Sequence, residues 1–475
     1  MSTNLSEEPA VALERARGLA AAGEDEAARQ AYIEVLRYNP IHRAALDELG
    51  TLAYAGGFRS AARTAYLQLI HHHPEDLRGR VNLANLLYEE GDAENAALHY
   101  GAALRIDPDF PEAHQGMARI LSAAGDEAAA AKHWRKGFEG HAVVTKPYRG
   151  RGTAVSLLVL VSARGGNVPS QLWITHRHFA VTAIYAEFYE AATPLPPHAL
   201  LVNLIGDADL CARALELAQG IVARSSAPII NPPAWVRVTG RAETARRLGL
   251  IPGVVAPLIE ALSPQALLAS TGLHYPLLLR RPGFHTGQYF TRVENQDGLG
   301  QAVRDLAGDE LLAIQYLDAR GKDGNARKYR VMFIDGELYP LHLAISSEWK
   351  VHYFSAGMAH DPAYREEERR FLDDMPAVLG RKAMQALHDI CAAMQLQYAG
   401  IDFALSPDGS VLLFEANATM VVFPPNPDSM WDYRRRAIDT VLEAATRMLL
   451  HHADSLHVSR ERIPPLGVYT RLQTD

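Results

Sequence analysis

"GIDFALSPDGSVLLFEAN", Gly400 to Asn417, decides how the second half of this chain is read. Two apolar runs flank "SPDG", whose Pro, Asp and Gly are turn formers. The stretch predicts a β-hairpin. If Ser406 pairs with Val411 around Pro407–Ser410, counting back along both strands puts Asp402 opposite Glu415. Directly opposed residues have Cβ atoms about 4.5–5.5 Å apart, and Asn417, two residues past Glu415, shares its face. Two carboxylates and a carboxamide then gather at one end of a sheet. Like charges opposed across strands repel, and carboxylates taken out of water need a counter-charge. Two readings fit: a hairpin end left in solvent, or a set of hard oxygen donors for Mg2+.

The sequence before the hairpin has the texture of strands. "YPLLLRRPGFHTGQYFTRVEN", from Tyr275, predicts two strands around a loop holding Gly283 and Gly287. "LLAIQYLDARGKDGNARKYRVMFIDGELYPLHLAIS" predicts more strands, a polar loop at 319–326 and a tight turn at Asp335-Gly336. "RKAMQALHDICAAMQLQ" predicts a helix starting near Arg381. Further upstream, "AVSLLVLVSA" and "ALLVNLIG" read as buried strands, and "DADLCARALELAQGIVARS" as a helix. "APIINPPAWV" reads as a strand running into a Pro-defined turn, and "TGRAETARRLGL" as a capped helix. This alternation predicts a parallel α/β sheet. No P-loop, no strand-borne G-x-G-x-x-G, no H-E-x-x-H and no G-x-S-x-G is present, so a nucleotide would be held by other devices.

The first 140 residues repeat with a period of 34. Pro40, Pro74 and Pro108 recur at that interval; so do Gly23, Gly57, Gly91 and Gly125, Ala28, Ala62, Ala96 and Ala130, and Tyr32, Tyr66, Tyr100 and Trp134. The Gly permits the turn between two helices. The Ala lets the helices approach, the aromatic four residues later fills the seam, and the Pro cannot continue a helix. A repeat of this length resembles the tetratricopeptide (TPR) family over roughly residues 9–140. The resemblance implies an all-α superhelix with a concave peptide-binding face. His71, His72 and His73 fit a solvated helix end or a metal site.

Composition sets the class. The chain has 475 residues, 48% apolar and 21% charged, which predicts two or three soluble domains. Residues 1–140 carry 14 Lys and Arg against 21 Asp and Glu, and the rest 33 against 34, so no basic face for nucleic acid is expected. Cys211 and Cys391 allow no disulfide framework and no zinc motif. With no signal peptide and no long apolar run, a cytoplasmic protein with no membrane partner is expected.

The order of motifs after about residue 150 resembles the ATP-grasp superfamily, specifically carboxylate–amine ligases of the D-alanine–D-alanine ligase and ribosomal-protein glutamate ligase type. These motifs are a strand with a basic residue four after a Pro, a glycine-containing flap, a linker strand, a strand with a basic pair and a final D…E-x-N hairpin. The implied fold is multidomain: TPR repeats (1–140), a linker (141–152), an α/β pre-ATP-grasp domain (153–235), an α+β ATP-grasp domain (236–450) and a tail (451–475). The implied cofactors are ATP and one or two Mg2+ ions. Asp402, Glu415 and Asn417 are then the metal ligands. Arg241 and Arg280 stand where the family usually has phosphate-binding Lys, and Arg281 competes for the role. Gly283 and Gly287 belong to the flap, and Gln315, Tyr316 and Leu317 to the adenine-reading linker, with Asp318 beside the ribose. Lys328 and Arg330 resemble the pair that neutralises the transferred phosphate, so Arg280 and Arg330 are the catalytic cations. His342, Lys350 and His352 lie where members hold the acceptor, and "ATMVVFPPNPDSMW" is expected to line its pocket.

The resemblance implies an ATP-dependent ligase forming an amide through an acyl-phosphate. The TPR groove would recruit a peptide or protein substrate, including the leader of a ribosomal peptide natural product, and an amine would be co-substrate. A homodimer is a further expectation. The alternatives are a small-molecule kinase and a non-catalytic TPR/ATP-grasp scaffold.

Overall fold

The computed structural model describes residues 9–283, 289–351, 357–425 and 429–454. It divides into two compact units, one built on residues 1–154 with short pieces at 176–180 and 188–190, the other on the remainder from Val155.

The first unit is made of helical hairpins. Pro9–Ala22 pairs with Asp25–Tyr38, Arg43–Ala55 with Arg59–His72, Leu77–Glu89 with Ala93–Ile106, and Pro111–Ala123 with Glu127–Phe138. The period-34 residues do what their chemistry requires. Gly23, Gly57, Gly91 and Gly125 sit in the turns with φ of 72°, 81°, 87° and 84°, a region open to glycine at no steric cost. Ala28, Ala62, Ala96 and Ala130 are fully buried, and the four aromatics are at most 3% exposed. Tyr100 packs so closely on the next hairpin that a Cβ at Gly116 would meet its ring at 2.1 Å. The expected linker, 141–152, is not featureless: Val143–Lys146 is a strand with every side chain exposed.

Among the described residues the second unit contains strands of three sheets. Val155–Val161, Leu200–Asn203 and Ile229–Ile230 run parallel, with Leu157 beside Leu200 and Leu201 beside Ile229. A four-stranded antiparallel sheet follows, in the order Ile259–Leu262, Leu311–Gln315, Leu277–Arg280, Phe290–Val293. Helix Gln296–Leu306 closes its core through Leu299, Val303 and Leu306. The last sheet has five strands, in the order Glu337–Ser346, Ala326–Ile334, Tyr398–Leu405, Val411–Asn417 and Val254–Val255, the final pair parallel. Helices Met375–Met394 and Arg435–Asp454 pack on it. The first of these breaks at Gly380 (φ 76°), so its regular part begins at Arg381 as the sequence predicts. Asp335 and Gly336 both have positive φ, matching a two-residue hairpin turn. The expected tail begins inside a helix, since Arg435–Asp454 runs past residue 450.

The hairpin pairs Asp402 with Glu415 as expected, but by a different route. Ser406 closes the turn on Ser410, with its N–H donating to the Ser410 carbonyl at 2.9 Å, and Leu405, not Ser406, faces Val411. The loop is one residue shorter than the sequence suggested, with Gly409 at φ 78°. A β-bulge between Asp402 and Phe403 supplies the missing residue, so Phe403 faces Leu413 while Asp402 still faces Glu415.

Candidate functional site

A row of side chains crosses the five-stranded sheet. His342 is opposite Arg330, Arg330 opposite Asp402, and Asp402 opposite Glu415. All four line one cavity of about 450 Å³, within the usual range for a small-molecule site. The other sheet contributes Leu278, Arg280, Phe290, Ile314 and Gln315 to its walls. Among the described residues, five cationic side chains (Arg241, Arg280, Lys328, Arg330, Lys350) and three acidic ones (Asp207, Asp402, Glu415) line it, so the cavity favours an anion.

The like-charge problem of the sequence reading has a structural answer. Asp402 is 3% exposed, yet its carboxylate accepts from Lys328 Nζ at 2.9 Å and from the Arg330 fork at 2.6 and 2.8 Å. Burial by itself raises this carboxyl; the Arg330 and Lys328 charges outweigh it and hold Asp402 far below the usual carboxylate range. Glu415 has its own cation, Arg241 Nη2 at 3.2 Å, and accepts from the Asn417 amide at 2.7 Å. Two opposed acids are tolerated because each has a separate counter-charge.

Arg241 is not on a strand. It is the first residue of helix Arg241–Leu248, and its N–H donates to Asp209. Arg280 ends its strand and is 8% exposed; burial, then the charge of Arg241, push it down to about 10, which still leaves it cationic at neutral pH. His342 is 4% exposed, and burial followed by the Arg330 charge holds it well below its ordinary value. It is therefore a neutral imidazole at pH 7 and adds no cation to the site.

The linker run divides. Tyr316 and Leu317 line the cavity, but the Gln315 N–H donates to the Leu258 carbonyl at 2.8 Å and is not a donor for a base. Asp318 does not line the cavity; it is clamped by Arg320 at 2.6 and 2.9 Å, and that hydrogen bonding lowers its carboxyl. Lys350 lines the cavity, as does Arg280, while Arg281 does not. Gly283 has φ 77°, as a flap glycine requires; Gly287 and His352 lie outside the described residues.

Two carboxylates fit a hard divalent cation, and Mg2+ commonly completes its shell with water and phosphate. Asn417 fits less directly. Its oxygen accepts from Thr419 N at 2.9 Å and Thr419 Oγ1 at 3.0 Å, which uses both carbonyl lone pairs. Among the described residues no group of three or more His, Cys, Asp or Glu is placed to hold a metal, so such a site must draw on Asn417, water or a ligand.

Several cavity residues escape the sequence reading. Asp207 follows Gly206 just past strand Leu200–Asn203, and the outer end of a parallel strand is where such sheets place ligands. That signal was available in "LLVNLIGD". Phe290 and Trp349 also line the cavity, and nothing local in the sequence marks them, whereas Thr419, Met420, Val421 and Phe423 line it from the stretch expected to form the acceptor pocket.

A TPR-repeat family model matches residues 84–125. Among solved structures, the chain resembles MamA from Desulfovibrio magneticus RS-1 at 21% identity over 27% of this chain and 73% of that one, with a TM-score of 0.26. A tetratricopeptide repeat protein from Parabacteroides merdae resembles it at 22% identity over 27% of this chain and 51% of that one, also with a TM-score of 0.26. Such scores carry no argument about function. A search of curated proteins gave no match. Among the described residues no helix is long and apolar enough to cross a membrane. The N-terminal region therefore contains a TPR repeat, a fold that generally binds proteins or peptides.

Proposed function

We propose that the second unit is an ATP-grasp ligase: it binds Mg·ATP in the cavity between its four-stranded and last five-stranded sheets and uses it to join a carboxylate to an amine. The observation that carries this is the row Arg330–Asp402–Glu415, with Lys328 and Arg241 as counter-charges, on the floor of a cationic cavity. In this reading a substrate carboxylate oxygen attacks the γ-phosphorus, the bond to the β,γ-bridging oxygen breaks, and ADP leaves. The amine nitrogen then attacks the acyl carbon, the carbon–oxygen bond to phosphate breaks, and nitrogen loses a proton to water. Such transfer depends on alignment and charge neutralisation more than on covalent side-chain chemistry.

Arg280 and Arg330 neutralise charge on the transferred phosphoryl group, and Lys328 exchanges its bond to Asp402 for one to phosphate. Arg241 keeps its charge at the Glu415 end. Asp402 and Glu415 would hold Mg2+, which would supply charge neutralisation for the transferred phosphate. Asn417 orients Glu415 through its amide and would add an oxygen to the Mg2+ donor set. Asp207 and Lys350 face the same space and would orient the acceptor. The TPR repeat would hold a peptide or protein substrate, raising its effective concentration at the cavity.

ADP release that depends on both a carboxylate and an amine is the expected result, and it stops in Glu415→Gln. Amine-independent ADP release would favour a kinase. One observation favours a scaffold without catalysis: Asp402 is held by three charge-assisted hydrogen bonds. Failure of Mg·ATP to bind would decide for it.

A further inference from the structure

Three of the aromatic rings at the cavity lie together and have no role in the chemistry above. Phe290 opens strand Phe290–Val293, Tyr316 follows strand Leu311–Gln315, and Trp349 lies three residues past strand Glu337–Ser346; all three line the cavity. The Trp349 ring centre is 5.6 Å from Phe290 at an interplanar angle of 62°, and 6.5 Å from Tyr316 at 78°. It meets both rings edge to face.

The other two rings have cations over them. Arg280 lies 5.4 Å and Lys350 5.7 Å from the Phe290 centroid, and Arg292 lies 4.3 Å from that of Tyr316. Among the described residues no cation lies over the Trp349 ring. Trp349 is the largest and most electron-rich ring of the cluster, and it lines the cavity that a ligand would enter. Phe290 touches both Trp349 and Arg280, so a flat group on Trp349 would sit one ring away from the cations that suit phosphate.

We propose that Trp349 is the face on which the purine base of the nucleotide stacks, which makes it the residue that distinguishes a nucleotide from bare polyphosphate. This rests on the nucleotide reading given under Proposed function. Stacking of a base on an aromatic side chain contributes about 1–3 kcal/mol, equivalent to roughly 5- to 150-fold in affinity. The neighbouring loop end at Trp349-Lys350 would then supply two things at once, a stacking surface and a cation already close to the phosphate path.

The test is calorimetric binding of Mg·ATP and of magnesium tripolyphosphate to the full chain, wild type, Trp349→Leu and Trp349→Phe. Trp349→Leu keeps apolar bulk without a π-face, and its melting temperature checks its fold. The expected result is an ATP affinity about tenfold or more weaker in Trp349→Leu, an unchanged tripolyphosphate affinity, and recovery of most of the loss in Trp349→Phe. Equal ATP affinity in wild type and Trp349→Leu overturns the inference alone. Equal weakening of both ligands also overturns it, by assigning Trp349 to the phosphate end. If the wild type binds neither ligand, the inference and the nucleotide reading fall together.

Discussion

Two acids in the second unit are taken out of water, and their surroundings differ in kind. Glu368, on helix Pro362–Asp373, is fully buried and accepts from Arg434 at 2.6 and 3.0 Å, from the Tyr433 hydroxyl and from Leu343 N–H at 3.1 Å. Arg434 is 4% exposed and lies over the Trp431 ring. Protein surrounds this pair on every side. Asp402 is as deeply buried, but its partners Lys328 and Arg330 keep 14% and 19% of their side chains exposed and open on a 450 Å³ cavity. A sealed ion pair can only hold the fold together. An ion pair at a cavity can exchange partners with a ligand, which is where perturbed carboxylates mark function.

The contrast can be broken by measurement. Glu368→Gln leaves the Arg434 guanidinium buried without its anion and should cost about 3–5 kcal/mol in denaturant unfolding. Asp402→Asn should cost less, about 1–2 kcal/mol, because cavity water reaches Lys328 and Arg330. A larger loss in Asp402→Asn than in Glu368→Gln would reverse the assignment of the two sites.

His342 sharpens the same row through pH. Its folded pKa lies below the unfolded value of about 6.5, since burial and Arg330 oppose its charge. Below that pH the unfolded chain takes up a proton that the folded one refuses. Its contribution is complete above pH 6.5 and is lost on acidification, by about 1.4 kcal/mol per pH unit, until the folded pKa is reached. His342→Gln should show a flatter stability profile between about pH 6.5 and 5 than wild type; parallel profiles would show that His342 titrates normally. The smallest effect belongs to the first unit, where Arg29 and Glu26 pair at 36% and 51% side-chain exposure. Arg29→Ala should change stability by less than about 0.5 kcal/mol, with the remaining effect screened by salt.

The same division governs what the sequence reveals. The helical repeat was legible down to its turn glycines because each constraint is local and recurs every 34 residues. The hairpin was legible because Asp402 and Glu415 are linked by one short turn. The register still hid a compensating error, since the bulge at Asp402 and the shorter turn at Gly409 cancel. What stayed hidden depends on contacts distant in sequence: Lys328 and Arg330 on Asp402 across about 70 positions, Arg241 on Glu415 across more than 170, and Arg434 on Glu368. Two groups of the linker run are also engaged by protein, the Gln315 N–H across more than 50 positions and the Asp318 carboxylate by its near neighbour Arg320. Leu258 and Arg320 claim groups that the linker pattern offered to a nucleotide.

The central claim is that the Asp402–Glu415 cavity takes Mg·ATP, and calorimetry of the full chain with ATP, with and without Mg2+, tests it most directly. Saturable binding that needs Mg2+ in the wild type and is lost in a folded Glu415→Gln protein is the predicted result. No binding in the wild type, or equal Mg2+-dependent affinity in Glu415→Gln, would contradict it.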